Sequence, residues 1–442
     1  MIKNFEGKVA VVTGGGSGIG LSLAHAFAKR DMKIVLADIN KRSLNKASRR
    51  ISKRGTEVLS LIIDVSDPKQ VEELANAAYD RFGKVNILCN NAGVGSSGPV
   101  HLLEIGNWTH TLGTNLFGVI YGIKFFLKRM LDSKEPCHIV NTASIAGHLT
   151  EQSGPYAASK FAVVSISETL ALQCFNTNVG ASVLCPGFVK TKILENTFLL
   201  STDHTNFYQP SPEEAEASLP FIENVSKISR LGMNPDIVAE MVIYAIQNDL
   251  LYIMTHPQYT NLIKDRFNRI KNDTLKINER FPTPIREIKE NHFKYNSESF
   301  VFSISYPDYL VQINPDPNTS QVFLATSIDL LKSLTVSVSE MDPAMRLEDS
   351  MKAIVDFLKS LGKNIKIISD KQITLSDGNV AREGEIEYQN RGFEKILSHH
   401  ISILKDKKWI RVSIYTHPSY FTNDLKKIGY SLKFEVPLAE VQ

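Results

Sequence analysis

The sequence predicts a two-domain protein: a doubly wound, parallel α/β sheet first, then a smaller antiparallel α+β domain. Three observations carry this. The chain has 442 residues, more than one ordinary domain uses. From Lys8 to about Asp249, short and continuous apolar runs alternate with longer helical patterns, as in strands covered by helices on both faces. Beyond about residue 270 the runs instead alternate apolar and polar residues, as in sheets with one wetter face.

Taken in order, Val9–Thr13, Ile34–Asp38, Val58–Asp64, Ile87–Asn90, Ile139–Ala143 and Ala181–Cys185 read as strands. Helical spacing lies between them at Ile19–Arg30, Pro68–Phe82, Gly118–Leu131 and Tyr156–Phe175. Asn234 caps a further helix through Asp236–Gln247, with Pro235 at its first position, and Tyr252–Thr255 closes the sheet. Phe281-Pro-Thr-Pro284 breaks regular structure. The domains are therefore drawn as 1–270 and 291–442, with a linker at 271–290. In the second domain, Phe300–Ile304, Leu334–Val338, Ser402–Leu404 and Trp409–Tyr415 alternate as strands. The last two flank Lys405-Asp-Lys-Lys408, a hairpin turn. Leu347–Leu361 and Ser419–Ile428 have helical spacing.

Composition narrows the function classes. Hydrophobic residues make up 43% and charged residues 22%, so a large core is available. A net charge of +3 against 50 basic and 47 acidic residues gives no case for nucleic acid or an anionic membrane as main partner. Cys89, Cys137, Cys174 and Cys185 form no CxxC pair and have apolar flanks, which reads as buried thiols in a reducing compartment. The N-terminus lacks a signal-peptide layout, and no uncharged apolar run reaches membrane-spanning length. A cytoplasmic location is the expectation. No His, Cys and carboxylate grouping has metal-site spacing.

Thr13-Gly-Gly-Gly-Ser-Gly-Ile-Gly20 follows the first strand and opens the first helix. Gly14, Gly18 and Gly20 allow a tight turn and close approach to a pyrophosphate at the helix N-terminus. A glycine-rich turn alone is common; its place between strand and helix gives it weight. Asp38 ends the second strand about 20 residues on, where a carboxylate accepts from ribose hydroxyls and repels a 2′-phosphate. Ser17 and Ile39 stand where a basic residue would favour that phosphate, although Lys41 and Arg42 are nearby. This reads as NAD in preference to NADP.

Ser144 follows the Ile139–Ala143 strand, and Tyr156-Ala-Ala-Ser-Lys160 begins a helix. A spacing of four places Tyr156 and Lys160 on one helix face. An alcohol must lose a proton as its hydride leaves, and a free tyrosine of pKa ~10 is a poor base at neutral pH. An adjacent ammonium favours the phenolate, while Ser144 can hold the substrate oxygen. Taken singly, a Tyr-x-x-x-Lys pair is a helix surface pair and Asn115 a backbone-satisfying side chain.

Together these motifs resemble a classical short-chain dehydrogenase/reductase over residues 1 to about 260. They run in order: TGGGSGIG at 13–20, Asp64-Val65, Asn90-Asn-Ala-Gly93, Asn115, Ser144, YAASK at 156–160 and Pro186-Gly-Phe-Val-Lys-Thr191. The resemblance implies a Rossmann domain and an oxidoreductase acting on CH–OH groups. It implies Tyr156 as acid/base, Lys160 on the nicotinamide ribose, Ser144 orienting substrate and Asn115 supporting a water–lysine proton relay. The glycine loop (Thr13, Gly14, Ser17, Gly18, Ile19, Gly20) and Asp38 would hold the dinucleotide. Asp64 and Val65 would contact the adenine, and Asn91, Ala92 and Gly93 would border the cofactor. Pro186, Gly187, Val189 and Thr191 would flank the carboxamide. A homodimer or homotetramer built through the long helices is also implied.

The segment near 192–230 follows the Pro-Gly motif, where this family carries a substrate lid. Its Ile193, Leu194, Phe198, Leu199, Leu200, Phe207, Tyr208 and Phe221 suit a hydrophobic alcohol or ketone, although amphipathic helices bury such residues as core. Phe188, Val94, Gly147, His148 and Leu149 are further candidates for its walls. The Thr-His-Pro tripeptides at His256 and His417 read as coincidence. The second domain weakly resembles the PsbP/Mog1-like group at Ser305-Tyr-Pro-Asp308 and the late hairpin, which implies binding another partner rather than chemistry. The competing reading is a non-catalytic dinucleotide-binding sensor or scaffold that acts through this second domain.

Overall fold

The computed structural model describes residues 2–96, 98–150, 154–175, 177–191, 193, 208 and 210–281. In the second half it describes 290–296, 301–307, 310–313, 321–327, 332–340, 344, 346–375, 378–390, 395–405, 408–416, 425, 428 and 433–435. The chain divides into two compact units, Met1–Phe281 and Pro282–Gln442.

In the first unit, the strands are β1 (Val9–Thr13), β2 (Lys33–Asp38), β3 (Val58–Ile62), β4 (Ile87–Asn90), β5 (Cys137–Thr142), β6 (Val179–Cys185) and β7 (Tyr252–Met254). Among the described residues they form a seven-stranded parallel sheet in the order β3-β2-β1-β4-β5-β6-β7. The strand order reverses between β1 and β4, so a cleft opens at the carboxyl ends there. Alternate residues of β1 serve different cores. Ala10 and Val12 pack with Leu23, Phe27 and Leu36, whereas Val9 and Val11 pack with Leu88, Phe126 and Ala78. That two-sided burial is why the strands read as continuous apolar runs.

The helices are α1 (Gly18–Ala28), α2 (Lys41–Ser52), α3 (Pro68–Phe82), α4 (Ile105–Leu112), α5 (Gly118–Asp132), α6 (Gly154–Gln173), α7 (Pro212–Arg230), α8 (Pro235–Asn248) and α9 (Tyr259–Arg280). Local chemistry sets their ends. Asp67 accepts from the Lys69 N–H at 2.9 Å ahead of Pro68, and Gly83 ends α3 at φ 72°. Asn234 caps α8 by accepting from Asp236 N–H at 3.0 Å. A π-helical turn, Gly113–Phe117, joins α4 to α5, where the apolar spacing had marked helix only from Gly118.

Residues 271–280, assigned to a linker from the nearby prolines, are helical. No Gly or Pro interrupts Tyr259–Arg280, so α9 continues until Phe281 precedes Pro282. None of its residues is buried. Several sequence assignments lie outside the described residues: Leu194, Phe198, Leu199, Leu200, Phe207, Phe300, Asp308, His417 and the first part of Ser419–Ile428.

Among the described residues, the second unit contains a seven-stranded antiparallel sheet in the order β10-β11-β12-β16-β15-β14-β13 and a three-stranded sheet β17-β9-β8. β8 is Glu290–Asn296, β9 Val301–Pro307, β10 Leu310–Ile313, β11 Gln321–Ser327, β12 Lys332–Glu340, β13 Gly362–Thr374, β14 Val380–Asn390, β15 Lys395–Lys405, β16 Lys408–Thr416 and β17 Lys433–Glu435. The hairpin read from Lys405–Lys408 is present, with those two residues opposite each other. One face of the sheet carries α10 (Ser350–Leu361), whose Met351, Ile354 and Leu358 pack on Ile386 and Tyr388. A separate core contains Phe323, Leu334, Val336, Ile401, Ile403, Ile410 and Val412. The alternating sequence pattern in this half is thus a sheet with two differently packed faces. A relation to the PsbP/Mog1-like group has no support beyond the sequence pattern.

Phe126 is fully buried on α5 and meets the Tyr79 ring at 6.3 Å. Phe126→Ala should therefore destabilise the first unit by about 3–5 kcal/mol, read as a lower urea midpoint with an unchanged folded-state far-ultraviolet spectrum.

Candidate active site

The glycine turn is tight because its neighbours leave no room. Gly14 sits at φ 64°, and a Cβ there would lie 2.9 Å from Ala92 Cα. A Cβ on Gly20 would overlap the Gly14 carbonyl and lie 2.6 Å from Asn91 Nδ2. Ser17 is the extended N-cap residue of α1, so the first N–H groups of that helix open toward the cleft. Asp38, at the end of β2, accepts from Gly16 N–H at 2.9 Å and from Asn40 N–H at 2.9 Å. Burial raises the pKa of its carboxyl, and these backbone N–H groups oppose the rise.

Thr13 ties β1 to the loop after β4. Its Oγ1 accepts from Asn91 N–H at 2.9 Å and Ala92 N–H at 3.1 Å, and its carbonyl accepts from Asn91 Nδ2 at 3.0 Å. Two residues further on, Val94 is held by a side chain of the π turn. Asn115 Oδ1 accepts from Val94 N–H at 2.8 Å, and its Nδ2 donates to Val94 O at 3.0 Å and to Ser159 Oγ at 3.2 Å. The π turn places that fully buried amide between the β4 loop and α6. Asp64 folds the β3–α3 turn, accepting from Ser66 N–H at 2.9 Å and Ser66 Oγ at 2.7 Å. Val65 is buried against Gly118.

Ser144 follows β5, and Tyr156 and Lys160 lie on the first turns of α6. Ser144 is buried; its Oγ accepts from Ala146 N–H at 3.2 Å and donates to Pro186 O at 3.4 Å. Lys160 is 2% exposed and donates to Thr142 O at 2.9 Å. Its Nζ lies 5.6 Å from the centroid of the Tyr156 ring. Burial pulls the Lys160 pKa down to about 8, opposed by the neighbouring Cys185. Cys185 itself is pushed up to about 12 by burial and stays a neutral thiol. Its Sγ is 3.4 Å from His148 Nε2. His148 is thereby engaged behind the site, and burial lowers its pKa.

The loop after β6 closes the other side. Pro186 O accepts from Ile145 N–H at 2.8 Å, and Val189 bridges to Met233. A Cβ on Gly18 would lie 3.2 Å from Thr191 Cγ2, so this loop and the glycine turn meet across the cleft. Gly187 N–H donates to Thr255 Oγ1 at 3.0 Å, and His256 presses on Gly187. The Thr-His-Pro at 255–257, which reads as coincidence in the sequence, therefore has a structural place. Sequence reasoning missed Thr142 and Ser159, which act through a carbonyl and a helix-facing hydroxyl; Val94, read as a pocket wall, is held through its main-chain atoms. The buried chain Asn90 Nδ2 to Asn141 Oδ1 at 2.9 Å, then Asn141 Nδ2 to Ser167 Oγ at 3.0 Å, supports β4, β5 and α6 from behind.

Contacts thus join the glycine turn to Ala92 and Thr191, Asn115 to Val94, and Ser144 to Pro186, at the carboxyl ends of the strands. Among the described residues no group of His, Cys, Asp and Glu could hold a metal ion, and no helix is long and apolar enough to cross a membrane.

Residues 8–199 match the family model described as short chain dehydrogenase. A dehydrogenase/reductase of CLA biosynthesis from Lactiplantibacillus plantarum is 33% identical over 283 residues, covering 62% of this chain and 96% of that protein. A C alpha-dehydrogenase from a Sphingobium species is 30% identical, covering 61% of this chain and 87% of that protein. The crystal structure of a short chain dehydrogenase/reductase from Burkholderia phymatum in complex with NAD aligns with a TM-score of 0.58 and 38% identity. It covers 62% of this chain and 97% of that one.

The Lys160 shift has a sign that can be measured. Below pH 8 folded and unfolded chains both hold its proton. Between about 8 and the unfolded value of 10.5 only the unfolded chain does, so rising pH favours the folded state there. The urea midpoint of the apo wild type, measured against Lys160→Met, should rise between pH 8 and 10, and a flat difference would contradict the burial of a depressed lysine.

Proposed function

This chain belongs to the short-chain dehydrogenase family, and on that premise we propose that its first unit moves a hydride between NAD(H) and a hydrophobic alcohol or carbonyl compound, with Tyr156 as the acid/base. The observation that carries the reading is the buried Lys160 ammonium beside the Tyr156 ring, with Ser144 on the adjoining loop. An ammonium in that position stabilises the phenolate over the phenol. In the oxidative direction Tyr156 takes the alcohol proton, and in the reductive direction it returns one to the carbonyl oxygen. Ser144 holds that oxygen by a hydrogen bond. Asn115 fixes the β4 loop and supports the relay that reprotonates the Lys160–Tyr156 pair.

The cleft fits a nicotinamide dinucleotide. Its glycine turn has backbone where a Cβ would collide, and Asp38 stands at the end of β2. Thr13, Gly14, Ser17, Gly18, Ile19 and Gly20 would hold the pyrophosphate, Asp38 the ribose hydroxyls, and Asp64 and Val65 the adenine. Asn91, Ala92 and Gly93, with Tyr156 and Lys160, would border the nicotinamide ribose. Pro186, Gly187, Val189 and Thr191 would meet the carboxamide. When bound, the nicotinamide ring supplies the hydride donor or acceptor. The Asp38 carboxylate favours NAD over NADP, because a 2′-phosphate would face a like charge. The Burkholderia phymatum relative, solved with NAD, supports the same choice. In this reading the protein works as a homodimer or homotetramer, and the second unit binds a further partner.

The test is titration of the full chain with NAD and NADP, then NADH-linked turnover on apolar alcohols and ketones. NAD should bind more tightly, and Tyr156→Phe should lower kcat by roughly 10²–10⁴-fold while leaving NAD affinity intact. Turnover that survives Tyr156→Phe would refute the mechanism; binding without turnover on any compound would favour the sensing or scaffold role. Asp38→Ala should narrow the NAD-to-NADP affinity ratio by about tenfold or more.

A further inference from the structure

The helix that follows the Pro-Gly loop holds a buried carboxylate that the proposed chemistry does not use. Ser211 caps α7 by accepting from Glu214 N–H at 3.3 Å, with Pro212 at the first helical position. Glu213 and Glu216 on this helix are exposed, yet Glu214 is 2% exposed. A solvated carboxylate would serve the helix N-terminus equally well, and a buried one costs free energy unless hydrogen bonds hold it. Glu214 has those bonds, and they lead off the helix. Its Oε1 accepts from Asn107 Nδ2 at 2.7 Å, and its Oε2 accepts from the Tyr208 hydroxyl.

Asn107 belongs to α4, and its Oδ1 accepts from Ser96 Oγ at 2.7 Å and Thr111 Oγ1 at 3.3 Å. The Tyr208 ring lies on Gly106, where a Cβ would overlap it. Burial first, and Glu214 after it, push the Tyr208 phenol up, so its hydroxyl remains a donor. One turn along α7, Ser218 is buried beside Gly98. Ser96 lies two residues beyond Val94, whose N–H and C=O are both taken by Asn115. A continuous polar path therefore runs from Asn115 through the Val94–Ser96 loop and Asn107 to Glu214 on α7.

We propose that Glu214 is a positioning residue for the substrate pocket: its carboxylate latches α7 to α4, so that the lid helix and the loop held by Asn115 take up their places together. The inference rests on the reading of this cleft as the dehydrogenase site. The latch itself is a property of the fold and is measured separately. Charge-assisted bonds at a buried carboxylate are strong, and their loss takes from the Asn107 amide its acceptor on α7 and unties Tyr208 from that helix. Opening of α7 is then expected to become local and frequent, without unfolding of the sheet. Substrate binding suffers because the closed lid is less populated, whereas the chemistry in the closed state is unchanged.

The experiment compares amide hydrogen exchange in the full-length wild type, Glu214→Ala, Tyr208→Phe and the exposed control Glu216→Gln. Amides of 212–220 and 104–108 should exchange about tenfold faster or more in Glu214→Ala and several-fold faster in Tyr208→Phe. Glu216→Gln should match wild type, and β5 and β6 should be unchanged in all four. If Glu214→Ala folds poorly, Tyr208→Phe tests the same latch with the carboxylate and its Asn107 bond still in place. On whichever compound the wild type turns over, KM should rise about tenfold in Glu214→Ala with kcat within about threefold and NAD affinity intact. Unchanged exchange in 212–220 would overturn the latch, as would faster exchange spread equally through β5 and β6. A fall in kcat with KM unchanged would move Glu214 from positioning into the chemistry. Absence of wild-type turnover sinks the dehydrogenase reading alone, because the exchange data still decide the latch.

Discussion

Everything at the cleft depends on keeping one ammonium group where water does not reach. Lys160 is almost fully buried, and a cation there is costly unless the surroundings repay it. The Thr142 carbonyl accepts its hydrogen bond at 2.9 Å, and the Tyr156 ring lies alongside. Cys185, beside it, is held neutral by burial, so no thiolate pairs with the ammonium in place of the phenol. The remaining stabilisation is available to a phenolate. In the proposed mechanism, burial weakens the hold of Lys160 on its own proton and strengthens its field on a neighbouring oxygen.

Holding that lysine demands precision from elements far apart in sequence. The Thr142 carbonyl comes from β5, Asn115 from a π turn, and Ser159 from the helix that carries Lys160 itself. The π turn matters because one extra residue in the helical path carries the Asn115 amide between Val94 and Ser159. Thr13 and Asn91 fasten β1 to the β4 loop from the other direction. The glycine turn and the loop after β4 are thus fastened to each other by named hydrogen bonds. By contrast, α7 rests on polar contacts through Glu214, as the proposed positioning of the lid helix requires.

The two units are built on different packing logics. The first buries its sheet on both faces, whereas the second, among the described residues, pairs an antiparallel sheet with α10 and a small three-stranded sheet. The relatives matched here cover about 62% of the chain, close to the extent of the first unit. The second unit is thus an addition to a frame that relatives use without it. Its buried Glu383 lies 2.8 Å from the buried His399 and 2.9 Å from the exposed Lys371.

The sequence by itself determined the parallel sheet, because two-sided burial leaves continuous apolar runs at Val9–Thr13 and Ile87–Asn90. It determined the helices with chemical punctuation, such as Asp67-Pro68 to Gly83, since caps act over a few residues. It also gave the identity of Tyr156, Lys160 and Ser144, because a spacing of four on a helix and a residue at a strand end are local facts. Only the tertiary structure decided what those residues touch. That Thr142 meets Lys160 through a carbonyl, that Thr255 and His256 back Gly187, and that Glu214 faces inward while Glu213 and Glu216 face water all depend on partners distant in sequence. The continuation of α9 past the expected boundary belongs with them, since adjacent prolines mark where a helix must stop but not how far it runs before them. Backbone acceptors carry no residue signature, and a carboxylate's burial is set by what packs over it. These are the parts of the site that a one-dimensional pattern leaves open and a folded chain closes.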